Sequence, residues 1–272
     1  MDRRRFVSGT AALPLAVGVA GSARAEGSAQ LPPGTSVDLH VQMRTRLDGL
    51  PCYWFYQGTL FGKIEGEKTV PLLGVEGISR TLCERLANGD YRYQLLEAGY
   101  YLDLATGELA GDWRNPLNGT LVQPEPYLSP QDLQFEQSGR VRPTAALPAD
   151  ANIDYTGVIT PVQSFAGRAW SSEDLLVRMG GTPGRPLRTA TSLATFSADI
   201  AQIADTTRPV VDCEFSYHTM GSWRSWLQMG ETPGIVSMRL TGQKVSLPEQ
   251  LPQPLLERIT SQHRGFLEGR TK

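Results

Sequence analysis

Cysteine and histidine are scarce in this sequence of 272 residues, which contains three of each. Cys52, Cys83 and Cys213 are an odd number, so at most one intramolecular disulfide can form, and the sequence leaves open whether any two of them pair. Their spacing matches no zinc site. We expect three buried thiols that pack as small apolar residues, and we expect no metal.

Familiar catalytic motifs are also missing. The sequence has no Gly-x-Ser-x-Gly elbow, no His-Glu-x-x-His, no dinucleotide fingerprint and no Cys-x-x-Cys. Their absence argues against the common hydrolase, zinc and nicotinamide classes, and it predicts no cofactor. A cofactor-free lyase or isomerase stays compatible with the sequence, because it needs only a pocket and one acid–base group.

The sequence lacks a continuous apolar run of the roughly 20 residues that a membrane-spanning helix needs. Its N-terminus instead starts with Arg3-Arg4-Arg5, continues with a weakly apolar stretch interrupted by Ser, Gly, Thr and Pro, and reaches Ala23-Arg24-Ala25. A basic start, a weakly apolar middle and a small-x-small cleavage site are typical of a twin-arginine export signal. The alternatives are an ordinary secretory signal and a disordered basic tail.

This interpretation divides the chain into a signal peptide at 1–25, a flexible leader at 26–35 and a single β-rich domain at 36–272. The twin-arginine export machinery is then one partner, and the protein is periplasmic or secreted. Cleavage removes a net charge of +3 from a chain of net charge −2, which leaves −5. That mild acidity argues against nucleic acid as a partner and against stable membrane insertion of the mature chain.

Turn-forming residues are abundant, with 28 glycines and 19 prolines. Asn88-Gly89 and Asn118-Gly119 predict two-residue hairpin loops, because a type I′ turn needs positive φ. The aromatic run from Cys52 to Tyr56 suits a strand. We therefore predict an all-β, mainly antiparallel fold: a barrel-like meander with a long Pro-rich loop at 123–150 and a short C-terminal helix from Pro248.

The segment that follows the leader alternates apolar and polar residues. Val37, Leu39, Val41 and Met43 alternate with polar neighbours that include His40. Period two predicts a strand with one buried face, which would place His40 on the polar face.

Five segments of the sequence together resemble one bacterial family. They are Tyr53-Trp54-Phe55-Tyr56-Gln57-Gly58, Leu73-Gly74-Val75-Glu76-Gly77, the stretch 101–108, Trp113-Arg114-Asn115-Pro116 with Asn118-Gly119, and Trp226-Leu227-Gln228-Met229-Gly230 through Pro233-Gly234. This pattern resembles the family called domain of unknown function 1838. The resemblance implies a β-rich domain that is often exported, and it supplies no catalytic residues.

Three residues are candidates for acid–base chemistry. His40 titrates near neutrality, although a solvated position on the polar face is the commoner situation. Glu76 and Glu97 lie inside apolar stretches, where a carboxylate is costly unless it is paired, and Arg80 and Arg92 are natural partners. An unpaired glutamate would have a raised pKa suited to general-base work, whereas a paired one would be structural.

Aromatic residues are the candidate ligand-binding groups, because rings at a barrel mouth suit a flat or apolar ligand. The predicted ligand-binding set is Trp54, Tyr56, Arg92, Trp113, Trp223 and Trp226. We expect Glu97 to point into a pocket formed partly by Trp54 and Trp113.

The sequence thus predicts an exported protein that binds a small apolar or aromatic molecule in a barrel-like pocket. Its enzymatic version is a cofactor-free lyase or isomerase that uses Glu97 or His40. The alternative is a non-catalytic structural or partner-binding envelope protein. The sequence leaves open which applies, which ligand is bound and how many copies assemble.

Overall fold

A computed structural model describes residues 30–144, 153–181 and 187–269. The predicted signal peptide and residues 26–29 of the predicted leader lie outside these residues. Within them, no helix has both the length and the apolar character needed to cross a membrane.

The structure is built mainly from thirteen strands. They are β1 (Cys52–Ile64), β2 (Val70–Arg85), β3 (Tyr91–Leu102), β4 (Trp113–Arg114), β5 (Leu121–Val122), β6 (Tyr127–Phe135), β7 (Arg140–Pro143), β8 (Ile153–Ile159), β9 (Gln163–Phe165), β10 (Arg168–Met179), β11 (Arg188–Asp199), β12 (Cys213–Gly221) and β13 (Gly234–Val245). Three α-helices accompany them: α1 (Ser36–Arg44), α2 (Ile200–Ala204) and α3 (Gln253–Gln262).

Ten of the strands close into an antiparallel barrel. Around the ring they follow chain order, β1-β2-β3-β6-β7-β8-β10-β11-β12-β13, and β13 pairs with β1 to close it. The short strand β9 pairs with β10, and β4 and β5 form a separate hairpin. The predicted all-β, mainly antiparallel barrel-like meander is confirmed.

Both Asn-Gly pairs lie in hairpin loops, although neither loop has two residues. Leu86 and Asp90 bracket a three-residue loop between β2 and β3, and Asn115 and Thr120 bracket a four-residue loop between β4 and β5. Only the glycines have positive φ, +90° at Gly89 and +73° at Gly119. The prediction of two-residue loops was therefore wrong. Loops of three or four residues need only one left-handed residue, and the glycine of each Asn-Gly pair provides it.

Helix α1 closes one end of the barrel, where a strand was predicted. Thr35 caps it, accepting a hydrogen bond from the backbone N–H of Asp38 while the Asp38 carboxylate accepts from Thr35. Because the helix sits inside the barrel end, Val37, Val41 and His40 are all buried. Burial on several faces removes the 3.6-residue polar periodicity and leaves an alternation that imitates a strand.

The wall continues through the predicted Pro-rich loop. Strands β6 and β7 occupy much of 123–150, and residues 145–150 lie outside the described part. Pro130 is tolerated within β6 because the pairing of β6 with β7 begins only at Leu133, so this part of β6 has one paired neighbour.

Helix α3 packs on the outside of the barrel, as predicted for the C-terminal segment. Leu255 and Ile259 on this helix bury against Ile78, Ala98 and Tyr100 on β2 and β3. The inward residues of these strands therefore belong to the barrel interior, and the outward residues belong to this second core.

All three cysteines are buried and free. Burial raises the pKa of Cys83 to about 12, so that thiol stays protonated at neutral pH.

Candidate functional site

The barrel encloses a cavity of about 120 Å³, which we call the inner cavity. Inward residues from β1, β2, β3, β6 and β10 to β13 form its wall, and α1 provides its floor. The cavity contains two carboxylates, Glu97 from β3 and Glu173 from β10, among mostly apolar and aromatic side chains. Chemistry-bearing groups inside an apolar, enclosed space are the usual mark of a small-molecule site.

Glu97 reaches the cavity because β3 alternates. Tyr93, Leu95 and Glu97 share the inward face of this strand, and all three line the cavity. Burial raises the pKa of Glu97 above its ordinary value, while a hydrogen bond from Tyr56 and the charges of Arg224 and Arg44 partly oppose the rise. A carboxyl group with a raised pKa holds or accepts a proton near neutral pH more readily than an exposed glutamate does.

Two tyrosines meet beside Glu97. The hydroxyl oxygens of Tyr56 and Tyr127 are 2.8 Å apart, so a hydrogen bond joins them. Their rings fit because Gly77 and Gly99 face each other across β2 and β3. A Cβ at Gly77 would overlap the Tyr56 hydroxyl group, and a Cβ at Gly99 would overlap the Tyr127 ring. The glycine pair therefore makes the space in which the two hydroxyl groups meet.

An ion pair forms the floor of the inner cavity. The Arg44 guanidinium, at the end of α1, contacts the Glu173 carboxylate and lies 4.4 Å from the centroid of the Tyr93 ring. His40 Nε2 is 3.5 Å from the same oxygen of Glu173 that Arg44 contacts, and His40 Nδ1 is 2.8 Å from Ser171 Oγ. Burial, and then the charge of Arg44, hold the pKa of His40 well below its ordinary value.

His40 is therefore placed differently from the sequence prediction. It is fully buried on a helix, not on the polar face of a strand, and it is not among the residues that line the inner cavity. Its ring packs edge-on against Phe135 and Phe196. In this position His40 supports Glu173 and does not face a ligand.

Above the inner cavity, toward the end of the barrel opposite α1, lies a second space of about 350 Å³, which we call the vestibule. Tyr101, Tyr127, Trp223, Arg224 and Trp226 contribute to its lining. The Tyr56–Tyr127 hydrogen bond stands between the two spaces, because Tyr56 lines the inner cavity and Tyr127 lines the vestibule.

The predicted aromatic ligand-binding residues fall into these two spaces with one exception. Trp54 lines the inner cavity, where its Nε1 donates to the Arg44 carbonyl oxygen at 3.0 Å. Tyr56 lines it as well, and Trp223 and Trp226 line the vestibule. Trp113 lines neither space: it belongs to the separate β4–β5 hairpin, where it packs against Trp226. The pocket that Glu97 shares with Trp54 therefore does not include Trp113.

Two further candidates lie on the outside of the barrel. Glu76 is covered by α3 and pairs with Arg258, a partner that sequence reasoning did not name. Arg92 is exposed on the outward face of β3 and donates to Asp132, with Nε 3.1 Å from the nearer carboxylate oxygen. Strand alternation explains both, because each residue has the opposite parity to the inward residues of its strand.

The structure also brings in residues that the sequence did not single out. Arg44, Tyr127, Glu173, Tyr217 and Arg224 line the two spaces. The sequence did contain a signal for Glu173. Ala169, Ser171, Glu173 and Leu175 occupy every second position of β10, so they share one face of that strand. Tyr127 was not singled out because it lies among prolines, in a segment that the sequence predicts to be a loop.

The described residues contain no group of three or more His, Cys, Asp or Glu placed to hold a metal ion. Around Glu97 the arrangement offers a carboxyl group beside the hydroxyl groups of Tyr56 and Tyr127. Such a set moves a proton and stabilises a developing charge on a ligand oxygen.

The fold and the site define a closed ten-stranded antiparallel barrel with a polar group buried in its interior. Residues 49–159 and 178–271 match the family model described as protein of unknown function (DUF1838), and the chain belongs to that family. No curated protein and no solved structure matches the chain.

Proposed function

We propose that the protein binds a small apolar or aromatic molecule in the inner cavity, and that Glu97 is the acid–base group of a cofactor-free lyase or isomerase. The observation that carries this proposal is the place of Glu97: its carboxyl group lines a cavity of mostly apolar and aromatic side chains beside Tyr56, whose hydroxyl group is hydrogen-bonded to that of Tyr127. A folded protein does not gain stability from a carboxyl group placed there, which favours a functional reason for it.

The size of the cavity limits the ligand. An engineered apolar cavity of about 150 Å³ binds benzene, and the inner cavity has about 120 Å³. The group held beside Glu97 is therefore about the size of one small ring. The rest of a larger ligand extends into the vestibule.

The proposed chemistry uses one proton. The Glu97 carboxylate removes a proton from a ligand carbon, and the Tyr56 hydroxyl group then turns its single hydrogen from Glu97 to the ligand oxygen that gains charge. In an isomerase the proton returns from Glu97 to another carbon, and in a lyase it leaves with the departing group. The upward shift in the pKa of Glu97 favours this role, because a carboxylate with a higher pKa is a stronger base than an ordinary glutamate.

Export belongs to the same proposal. The basic start, the weakly apolar middle and Ala23-Arg24-Ala25 support transport by the twin-arginine machinery and work in the periplasm or outside the cell. That route carries proteins that have already folded, so a barrel could leave the cytoplasm with its cavity formed.

The test is native mass spectrometry of the protein purified from its own periplasm, followed by the same measurement on Glu97→Gln. We expect a small molecule to accompany the wild-type protein, and we expect the Gln variant to lose it or to retain it unconverted. Glu84→Gln, an exposed glutamate on the outward face of β2, is the matched control and should behave as the wild type does.

The outcomes separate the candidates. A ligand that the wild-type protein binds and leaves unchanged would indicate a carrier and would contradict the catalytic part. A protein that carries no molecule, and binds none from a library of small aromatic compounds, would favour the structural or partner-binding envelope protein.

A further inference from the structure

The two spaces inside the barrel differ in charge. Of the described residues that line the inner cavity, the one cation is Arg44, which contacts the Glu173 carboxylate. Among the described residues that line the vestibule, two are arginines, Arg188 and Arg224, and one is a carboxylate, Glu125. The inner cavity therefore suits an uncharged group, whereas the vestibule suits an anion.

Arg224 is the best placed of the vestibule cations. It lies between two tryptophans that are fixed to their surroundings. Trp223 Nε1 donates to the Thr232 carbonyl oxygen at 2.8 Å, and the Trp226 ring lies 5.0 Å from the Tyr101 ring, centroid to centroid. The backbone on both sides of Arg224 is thus held in place, which reduces the entropy lost when its side chain binds a ligand.

The guanidinium group of Arg224 has no hydrogen bond or ion pair with any other described residue. Most of the other arginines with acidic neighbours are paired, as Arg92 is with Asp132 and Arg142 is with Glu136. Arg224 nevertheless lies near enough to Glu97 for its charge to lower the pKa of that carboxyl group. Arg224 lines the vestibule together with Tyr127, whose hydroxyl group is 2.8 Å from that of Tyr56 in the wall of the cavity that contains Glu97, so an anion bound by Arg224 lies across this tyrosine pair from Glu97.

We propose that the ligand is a small organic acid, whose carboxylate is bound by Arg224 in the vestibule while its uncharged, apolar body enters the inner cavity. This inference rests on the proposed function and names its ligand class. Guanidinium groups bind carboxylates through two parallel hydrogen bonds, so Arg224 fixes the orientation of the ligand as well as attracting it. The body of the acid passes the Tyr56–Tyr127 pair and presents its reacting carbon to Glu97.

The experiment compares two probes that differ only in charge. Phenylacetate and phenylacetamide have the same ring and nearly the same shape, and isothermal titration calorimetry measures the binding of each to the folded protein. We expect the wild-type protein to bind phenylacetate about tenfold or more tightly than the amide, the size of one charge-assisted hydrogen-bonded pair. Added salt should weaken the binding of phenylacetate and leave the binding of phenylacetamide unchanged.

Arg224→Gln is expected to remove this preference, so that both probes bind with the affinity that the amide has for the wild-type protein. Arg140→Gln, an exposed arginine on β7 far from the vestibule, is the matched control and should keep the preference. A melting curve of each variant shows that it is folded.

Failure of this inference differs from failure of the proposed function. Equal binding of the two probes, unaffected by Arg224→Gln but weakened by Glu97→Gln, would overturn the carboxylate assignment and keep the cavity as the site. A preference for the carboxylate that survives Arg224→Gln would overturn the role of Arg224. Absence of binding of both probes to every variant would count against the inner cavity as a site for small aromatic molecules.

Discussion

The hydroxyl groups of Tyr56 and Tyr127 meet at 2.8 Å, between the inner cavity and the vestibule. Tyr56 comes from β1 and Tyr127 from β6, strands on either side of the β2–β3 hairpin. Gly77 and Gly99 on that hairpin leave room for both rings. The bond thus depends on four strands, and a ligand that moves from one space to the other must pass it.

We predict that Tyr56→Phe raises the pKa of Glu97 further, because the hydrogen bond from Tyr56 is the largest of the interactions that hold it down. Infrared spectroscopy of the carboxyl stretching band, or carbon NMR of Glu97, measures this pKa. Tyr100→Phe is the control, since the Tyr100 hydroxyl group has no hydrogen-bond partner among the described residues and lies on the outer face. An unchanged titration in Tyr56→Phe would show that the hydroxyl group does not bond to Glu97.

A second prediction concerns stability and pH. Because the pKa of Glu97 is raised in the folded protein, the unfolded state loses this proton first, and stability falls as pH rises from the ordinary value of 4.5 through the raised value. Glu97→Gln removes that fall. The melting temperature of the variant, relative to wild type, should therefore increase as pH rises above the ordinary value of 4.5.

The groups that face Glu97 do not reverse this sign. Desolvation is the largest influence on the carboxyl group and exceeds the opposing effects of Tyr56, Arg224 and Arg44. A relative melting temperature that decreases toward neutral pH would mean that Glu97 is a stabilising ionised partner of one of the arginines.

The third prediction tests the glycine pair. Gly99→Ala should destabilise the protein by about 1–3 kcal/mol, because the new methyl group would overlap the Tyr127 ring. Gly111→Ala is the matched control, since a Cβ there meets nothing within 4 Å. Urea denaturation compares the two variants. Equal stability would show that Tyr127 has room to move aside.

The fourth prediction concerns the ion pair at the cavity floor. Arg44→Met leaves Glu173 buried without its cation and should cost about 3–5 kcal/mol, whereas Arg44→Met with Glu173→Leu should recover much of the loss. The exposed pair of Arg142 and Glu136 is the control, and Arg142→Met should cost less than about 1 kcal/mol. A double variant no more stable than Arg44→Met would mean that Arg44 stabilises mainly by stacking on the rings around it.

The fifth prediction addresses export. Arg3→Lys with Arg4→Lys keeps the charge and removes the paired guanidinium groups. Cell fractionation should then find uncut precursor in the cytoplasm, whereas Lys68→Arg in the mature domain should leave export unchanged. Normal accumulation of the double variant in the periplasm would contradict the twin-arginine interpretation.

Local patterns predicted the barrel wall well. A half-buried strand shows alternating apolar and polar residues, and turn-forming residues mark its ends, so both signals are visible in neighbouring positions of the sequence. The alternation that puts Tyr93, Leu95 and Glu97 on one face of β3 is short-range information of this kind. Helix α1 was not predicted because its environment is formed by strands that are distant in the sequence. Residues on several of its faces are buried, so its sequence lacks the 3.6-residue spacing of polar residues that marks a surface helix. The Thr35–Asp38 capping box was the local signal that could have revealed it.

The composition of the site could not be predicted in the same way. Glu97, Glu173 and Arg44 meet only because the ring closes, and no sequence spacing relates them. Glu76 and Glu97 illustrate the limit, since both lie in apolar stretches. Strand parity places one beneath α3 and the other inside the barrel.

The seam between β1 and β13 has a consequence for how the chain is made. Every other pairing in the ring joins one ring strand to the ring strand that follows it in the chain. The β1–β13 pairing instead joins the first ring strand to the last, from Tyr53 with Val245 to Ile64 with Gly234. A ribosome must therefore release almost the whole polypeptide before the ring can shut. Closing so long a loop is entropically unfavourable and slow. Until then β1 presents an unpaired edge, so this strand is where chaperones or aggregation would compete with folding.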